Sequence, residues 1–227
     1  MKRVLKIIAA RLPLRIQQEL KRIYFAYQIR GNRFITDEKE FAIVDRLISP
    51  GDWVLDIGAN VGQYTKRFSE LVGDSGRVIA FEPVPDTFEL LTANAQRFRQ
   101  KNVTLFNAAA SDHCAAVGMT IPTMATGLSN YYAAHLTPST NGLQVLTFPV
   151  ETLHLPHAIR LAKIDAEGHE MAVLRGMAGM LRRDHPILIV ETFSSDVEIY
   201  LLAFGYKMKR FDGSSNRIFS TMDLDVH

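Results

Sequence analysis

From Pro50 onward, short β-type runs alternate with stretches in which apolar residues recur at helical spacing, the pattern of a parallel sheet wrapped by helices. The candidate strands are residues 53–57 (WVLDI), 77–81 (RVIAF), 102–107 (NVTLFN), 160–165 (RLAKID) and 186–191 (PILIVE). Between them Phe88, Leu91, Ala95 and Phe98, and later Val173, Leu174, Met177 and Leu181, keep a helical period and read as core positions. The stretch GYKMKRFDGSSNRIFS holds two short strands around Asp212 and Gly213 with no helix between them, which predicts a closing hairpin. The expected fold is α/β: a doubly wound, mostly parallel sheet ending in an antiparallel hairpin.

At 227 residues, 47% hydrophobic and 22% charged, the chain has ordinary globular usage and can bury a full-sized core. The expected division is an N-terminal helical extension over residues 1–50 and a main domain over residues 51–227, with a substrate loop inserted at residues 111–156. That insert is rich in Thr, Ser, Asn, Gly and Pro, carries Tyr131, Tyr132 and His135, and reads as an irregular lid. The single cysteine, Cys114, excludes an intramolecular disulfide, so a reducing, cytoplasmic compartment is expected.

Charge is unevenly spread. Lys2, Arg3, Lys6, Arg11, Arg15, Lys21, Arg22, Arg30 and Arg33 are opposed before Phe34 only by Glu19, while the net charge of the whole chain is +2, so the remainder is acidic. Leu5, Ile8, Ala9 and Leu12 fall on one helical face, and after Pro13 Ile16, Leu20, Ile23, Tyr24 and Tyr27 draw a second. Residues 1–34 thus read as a basic amphipathic hairpin. Such a hairpin suits peripheral contact with an anionic membrane, here the inner membrane surface. The plainer expectation is a cap whose apolar stripe packs on the main domain. Lys6 and Arg11 break the apolar run too soon for a transmembrane helix.

Ligands of a doubly wound sheet bind outside the carboxyl ends of its strands. After the first strand come Asp56 and the Gly58, Asn60, Gly62 corner, which exposes backbone N–H groups at a helix start. After the second come Glu82 and Pro83; after the third, the Asn107 to Asp112 segment; after the fourth, Asp165, Glu167 and His169; after the fifth, Glu191. Glu82 follows the corner by about twenty residues, the spacing at which an acid accepts hydrogen bonds from a ribose. The corner reads G-x-N-x-G with Asp56 ahead of it, and an acid there repels a pyrophosphate but attracts a ligand bearing an ammonium and a sulfonium. S-adenosylmethionine is therefore favoured over NAD or FAD. The bland alternative is a strand-to-helix turn and a strand-end acid that hold no ligand.

The segments VLDIGANVGQYT, VIAFEPVPDTFELLTANA, NAAASD and LAKIDAEGHEMAVLRGM, followed by ILIVE, resemble the successive motifs of FkbM-type methyltransferases in the class I, Rossmann-like superfamily. The likeness runs from about Gly51 to about Phe219. It implies that Asp56, Gly58, Asn60 and Gly62 cradle the methionine end of the cofactor, with Tyr64 and Thr65 opening the next helix beside it. It implies further that Glu82 holds the ribose hydroxyls, that Pro83 flanks the adenine and that Asp112 lies near the adenine amino group. Members of known reaction mostly methylate hydroxyls, so O-methylation of a sugar or secondary-metabolite acceptor is implied.

A hydroxyl must lose its proton as it attacks, and the base is expected within hydrogen-bond reach at the fourth strand's end. Asp165, Glu167 and His169 are the candidates, with Glu191 next. The plainer role for these acids is helix capping. Asp165, Glu167 and Glu191 are also hard oxygen ligands, but no three ligands keep a fixed spacing and no metal is expected. His154 and His157 read as loop residues, and Lys163, two before Asp165 on one strand face, as an anchor for Asp165 or Glu191 or as an edge residue reaching solvent. Three other functions compete. A nucleic-acid N-methyltransferase would need a proline and aromatic loop to stack an extruded base where this chain has D-A-E-G, so no nucleic-acid partner is expected. A noncatalytic nucleotide-binding protein at a membrane surface would leave Asp165 and Glu167 without a task, and a nicotinamide oxidoreductase is disfavoured by the glycine spacing.

Overall fold

The computed structural model of the chain describes residues 11–139, 142–210 and 213–224. Helix α1 (Leu14–Arg30) leads through a 3₁₀ turn at Lys39–Ala42 into the short α2 (Val44–Leu47) and then β1 (Trp53–Ile57), α3 (Gln63–Val72), β2 (Arg77–Phe81), α4 (Pro85–Ala95) and β3 (Val103–Phe106). Next come β4 (Ala109–Ala110), β5 (Ala115–Thr120), β6 (His135–Thr137) and β7 (Leu143–Phe148). The chain continues through β8 (Ile159–Ile164), α5 (Glu170–Arg175), α6 (Ala178–Asp184), β9 (Ile187–Glu191) and α7 (Ser195–Ala203), and ends in β10 (Lys207–Arg210) and β11 (Asn216–Ser220).

The main sheet has seven strands in the order β10-β11-β9-β8-β1-β2-β3. β1 pairs in parallel with β2 on one side and β8 on the other, so the strand order reverses at β1, where such sheets bind ligands. β11 is antiparallel to both β9 and β10, which gives the expected hairpin; the turn expected around Asp212 lies outside the described residues. Register sets Asp56 directly opposite Lys163.

Alternation along the strands buries both faces. Leu55, Ile57, Ile79, Phe81, Ala162, Ile164, Leu188 and Val190 face α5, α6 and α7, joining Val173, Leu174, Met177, Leu181 and Leu201. Val54, Val78, Leu161, Ile187 and Ile189 face the opposite way, onto Val44, Leu47, Tyr64, Phe68 and Val72. Phe34, Val44 and Leu47 belong to these cores, so the chain enters the main body well before residue 51.

Three local expectations change. The helical period from Val173 to Leu181 is carried by two helices, α5 and α6, because the backbone leaves helical values at Met177, where φ is −126° and ψ is 21°. The 111–156 segment is not irregular: its strands β5, β6 and β7 join β4, just ahead of it, in a second sheet of order β4-β7-β5-β6. Its apolar side packs Met119 and Val145 on Val84. The stripe of α1 does not lie on the domain. Phe25 and Ile29 seat the helix against Phe34, Val61, Leu90 and Phe98, while Ile16, Leu20, Ile23, Tyr24 and Tyr27 face outward. Leu5, Ile8 and Ala9 lie outside the described residues. Among the described residues no helix is long and apolar enough to cross a membrane.

Candidate active site

A cavity of about 260 Å³ opens over the carboxyl ends of β1, β2, β8 and β9, with the second sheet as its facing wall. Gly58, Asn60, Glu82, Pro83, Asp165, Glu167, His169 and Glu191 line it as the sequence predicts. Tyr131, Tyr132 and His135 line the opposite side. Asp56, Gly62, Tyr64, Thr65 and Asp112 do not reach the lining.

The corner after β1 is shaped by crowding as much as by any ligand. At Gly58, φ is +80° and a Cβ would stand 1.8 Å from the Asp165 carbonyl oxygen, so the ends of β1 and β8 approach only because this residue has no side chain. Asn60 holds φ at 49°, and its side-chain Oδ1 accepts from the Val61 N–H at 2.8 Å. The Asn60 N–H in turn donates to Glu82 Oε2 at 2.8 Å, and the Val84 N–H donates to Oε1 at 2.9 Å. Burial pushes the Glu82 carboxyl up to about 7, against the downward pull of these two hydrogen bonds.

Behind the corner Asp56 is buried, its Oδ2 accepting from Thr65 Oγ1 at 2.5 Å and its Oδ1 without a partner among the described residues. Burial raises it to about 6, against the pull of Lys163. Lys163 is buried in a central strand, not at an edge. Its Nζ donates to Asp165 Oδ2 at 2.9 Å and sits 4.8 Å from the Tyr64 ring centroid. Burial works against its charge, but Asp165, Glu38 and Asp56 outweigh that and hold its pKa above the ordinary lysine value.

Past β8 the chain turns tightly, with φ of +49° at Glu167 and +93° at Gly168. Gly168 N–H donates to Glu170 Oε1 at 2.9 Å, so Glu170 takes the helix-start role and leaves Glu167 free for the cavity. Among the described residues the Glu167 carboxylate makes no hydrogen bond, and burial followed by the nearby Asp165 and Glu191 pushes it up to about 7. Burial and then Asp165 also raise Glu191. His169 Nε2 lies 2.9 Å from Ser111 Oγ, and burial lowers the imidazole below its ordinary value. Asp112 turns to His113 Nδ1 at 2.5 Å. No three of the described His, Cys, Asp or Glu residues are grouped to hold a metal ion. His154 ends a 3₁₀ turn and His157 lies against Trp53.

Two lining or supporting groups lie beyond the sequence reading. Glu38 reaches the cavity from ahead of β1, held by Tyr64 Oη at 3.0 Å and Asn216 Nδ2 at 3.1 Å, and no periodicity marks it. Ser111 sits beside Asp112 in NAAASD, where a hydroxyl next to the singled-out acid was the available signal. Glu38, Glu82, Asp165, Glu167 and Glu191 thus place five carboxylates on one small cavity, with Lys163 as the buried countercharge.

Comparison with known proteins finds a matching family and several relatives. The family described as Methyltransferase FkbM domain matches residues 56–208. The hexuronic acid methyltransferase AglP of Haloferax volcanii is 28% identical over 142 residues, which are 61% of this chain and 55% of that protein. The 31-O-demethyl-FK506 methyltransferase FkbM of Streptomyces tacrolimicus is 38% identical over 85 residues, 37% of this chain and 32% of that protein. The chain therefore spans about half or less of the length of these relatives. A crystal structure of methyltransferase FkbM from Methylobacillus flagellatus KT shares the fold at a TM-score of 0.57 and 15% identity, covering 76% of this chain and 44% of that one.

Proposed function

Because the chain belongs to the FkbM methyltransferase domain family, we propose that it moves the methyl group of S-adenosylmethionine to a hydroxyl of a glycan or secondary-metabolite acceptor. The observation that carries the cofactor is the charge of the cavity: five carboxylates at the point where the strand order reverses. Such a site attracts a ligand bearing an ammonium and a sulfonium and repels a pyrophosphate. Glu82 is pre-oriented by two backbone N–H groups and keeps lone pairs for a ribose. Pro83 would lie along the base, and Gly58 and Asn60 would lie along the methionine end. Asp56, Gly62, Tyr64 and Thr65 support that end from behind, and Asp112 stands apart from it. The relatives' names, one a hexuronic acid methyltransferase and one acting on 31-O-demethyl-FK506, support a hydroxyl-bearing acceptor.

When bound, the sulfonium supplies a methyl group already activated for displacement. The chain's own residues must then hold the acceptor oxygen in line and take its proton, and positioning of this kind is worth about 7–11 kcal/mol. Glu167 is the proton acceptor in this reading. It faces the cavity, it has no hydrogen-bond partner to give up among the described residues, and it titrates near neutral pH. Asp165 is held by Lys163 and His169 by Ser111, so they orient the acceptor, with Glu191 beside Asp165. Tyr131 and Tyr132 offer faces on which a sugar or ring can rest.

Isothermal titration with S-adenosylhomocysteine, with NADH as the contrast, tests the reading. Binding of the first and not the second is expected. Binding of NADH alone, or of neither by folded protein, overturns it.

A further inference from the structure

Helix α1 presents two apolar faces, and only one is used by the domain. Phe25 and Ile29 are seated, and Arg22 pairs with Glu89 on α4. On the opposite side Ile16, Leu20, Ile23, Tyr24 and Tyr27 are 46, 50, 66, 56 and 62% exposed. They follow one another along about 16 Å of helix. A continuous exposed apolar strip of this kind marks an interaction site.

The charges around the strip identify the partner. At helical spacing Lys21 falls on one flank and Arg30 on the other, with Arg11 and Arg15 before the strip and Arg33 after it. The Arg33 guanidinium stands 4.9 Å from the Tyr27 ring centroid. The one acid of the segment, Glu19, is taken by Arg22 at 2.9 Å. The sequence ahead adds Lys2, Arg3 and Lys6. Aliphatic side chains and tyrosines framed by cations are complementary to the boundary of an anionic bilayer, with rings at the headgroup level and ammonium and guanidinium groups on lipid phosphates. A second copy of this chain would bring the same cations face to face. The strip also lies close to the cavity wall, since Lys21 Nζ is 4.7 Å from the ring centroid of Tyr131.

We propose that α1 is a docking surface for an anionic lipid bilayer, with Ile16, Leu20, Ile23, Tyr24 and Tyr27 entering the headgroup boundary and Arg15, Arg30 and Arg33 on its phosphates. Docking requires neither cofactor nor acceptor, so it stands or falls apart from the methyl-transfer reading.

The test is flotation of the full chain with phosphatidylcholine vesicles made with and without phosphatidylglycerol. The wild type should float with the anionic vesicles alone and be released by salt. A Leu20→Asp, Ile23→Asp double variant should bind at least tenfold more weakly, and Arg15→Gln and Arg30→Gln should each cost about fivefold. Titration with S-adenosylhomocysteine on the same variants should match wild type, which reports the fold independently. Equal flotation with neutral vesicles, or undiminished flotation of the double variant, overturns the proposal. So does a wild-type dimer in light scattering that the double variant splits, since the strip would then cover a second copy.

Discussion

The backbone N–H of Asn60 donates to Glu82 Oε2 across 2.8 Å, which joins the glycine corner after β1 and the acid ending β2 into one unit. With Val84 N–H on its other oxygen, the Glu82 carboxylate is fixed before any ligand arrives. Little conformational freedom is left to lose on binding, so its hydrogen bonds to a ribose should show nearly their full strength.

Glu82→Ala should therefore weaken S-adenosylhomocysteine binding by about 10- to 150-fold, the range for hydrogen bonds to a charged group. Isothermal titration reads this directly. An unchanged affinity would remove Glu82 from the nucleoside site.

Glu167→Gln should lower kcat by about 10²- to 10⁴-fold and leave S-adenosylhomocysteine affinity intact, because a proton acceptor acts on the acceptor hydroxyl and not on the cofactor. In the wild type, turnover should rise with pH through about 7 as Glu167 loses its proton. The variant should lose that limb. A limb that persists would shift the role to another group of the cavity.

Stability should also track pH in a direction set by the buried acids. Asp56 is raised from 3.8 to about 6 and Glu82 from 4.5 to about 7, so the folded protein keeps protons that the unfolded chain would release. Their contribution is fully present below the unfolded values and is lost as pH climbs through the folded ones. The Tm of the ligand-free protein should fall as pH rises between about 5 and 7.5. Scanning fluorimetry checks it, and a Tm that climbs over this window would show that these two acids do not control it.

The glycines of the site should separate by cause. Gly58→Ala places a Cβ 1.8 Å from a backbone oxygen and should cost 3 kcal/mol or more, on the order of severe overpacking. Gly168→Ala meets nothing within 4 Å and carries only the left-handed backbone penalty, about 1–2 kcal/mol. Urea unfolding of the two variants should preserve that order.

The main sheet was legible because strands buried on both faces, such as ILIV in β9, read as unbroken apolar runs. The second sheet was not, since its strands do not alternate cleanly between apolar and polar residues: Leu146 of β7 is 62% exposed. Gly118 also weakens the strand signal of β5 for a purely local reason: a Cβ there would meet the Ser139 carbonyl oxygen at 1.6 Å. Periodicity found the strip on α1 but could not say which way it faces. Phe25 and Ile29, one helical turn apart, form a second apolar face, and long-range packing on Phe34 and Phe98 decides between the two.

At the site, strand ends betrayed Glu82, Asp165, Glu167 and Glu191, because topology alone brings strand ends together. Which acid stays free is another matter. It depends on Lys163 reaching Asp165, on Ser111 reaching His169 and on Glu170 taking the Gly168 N–H, contacts between residues whose partners no local pattern specifies. Glu38 was hidden for the same reason, held across the fold by Tyr64 and Asn216.

The second sheet has its own hydrogen-bond ladder, separate from that of the seven strands, and meets the cavity through Met119, Tyr131, Ala134 and Leu136. The acids and the glycine corner hang from the other ladder. In the proposed reading the acceptor is thus met from one ladder and the cofactor from the other, and the packing of Met119 and Val145 on Val84 joins the two.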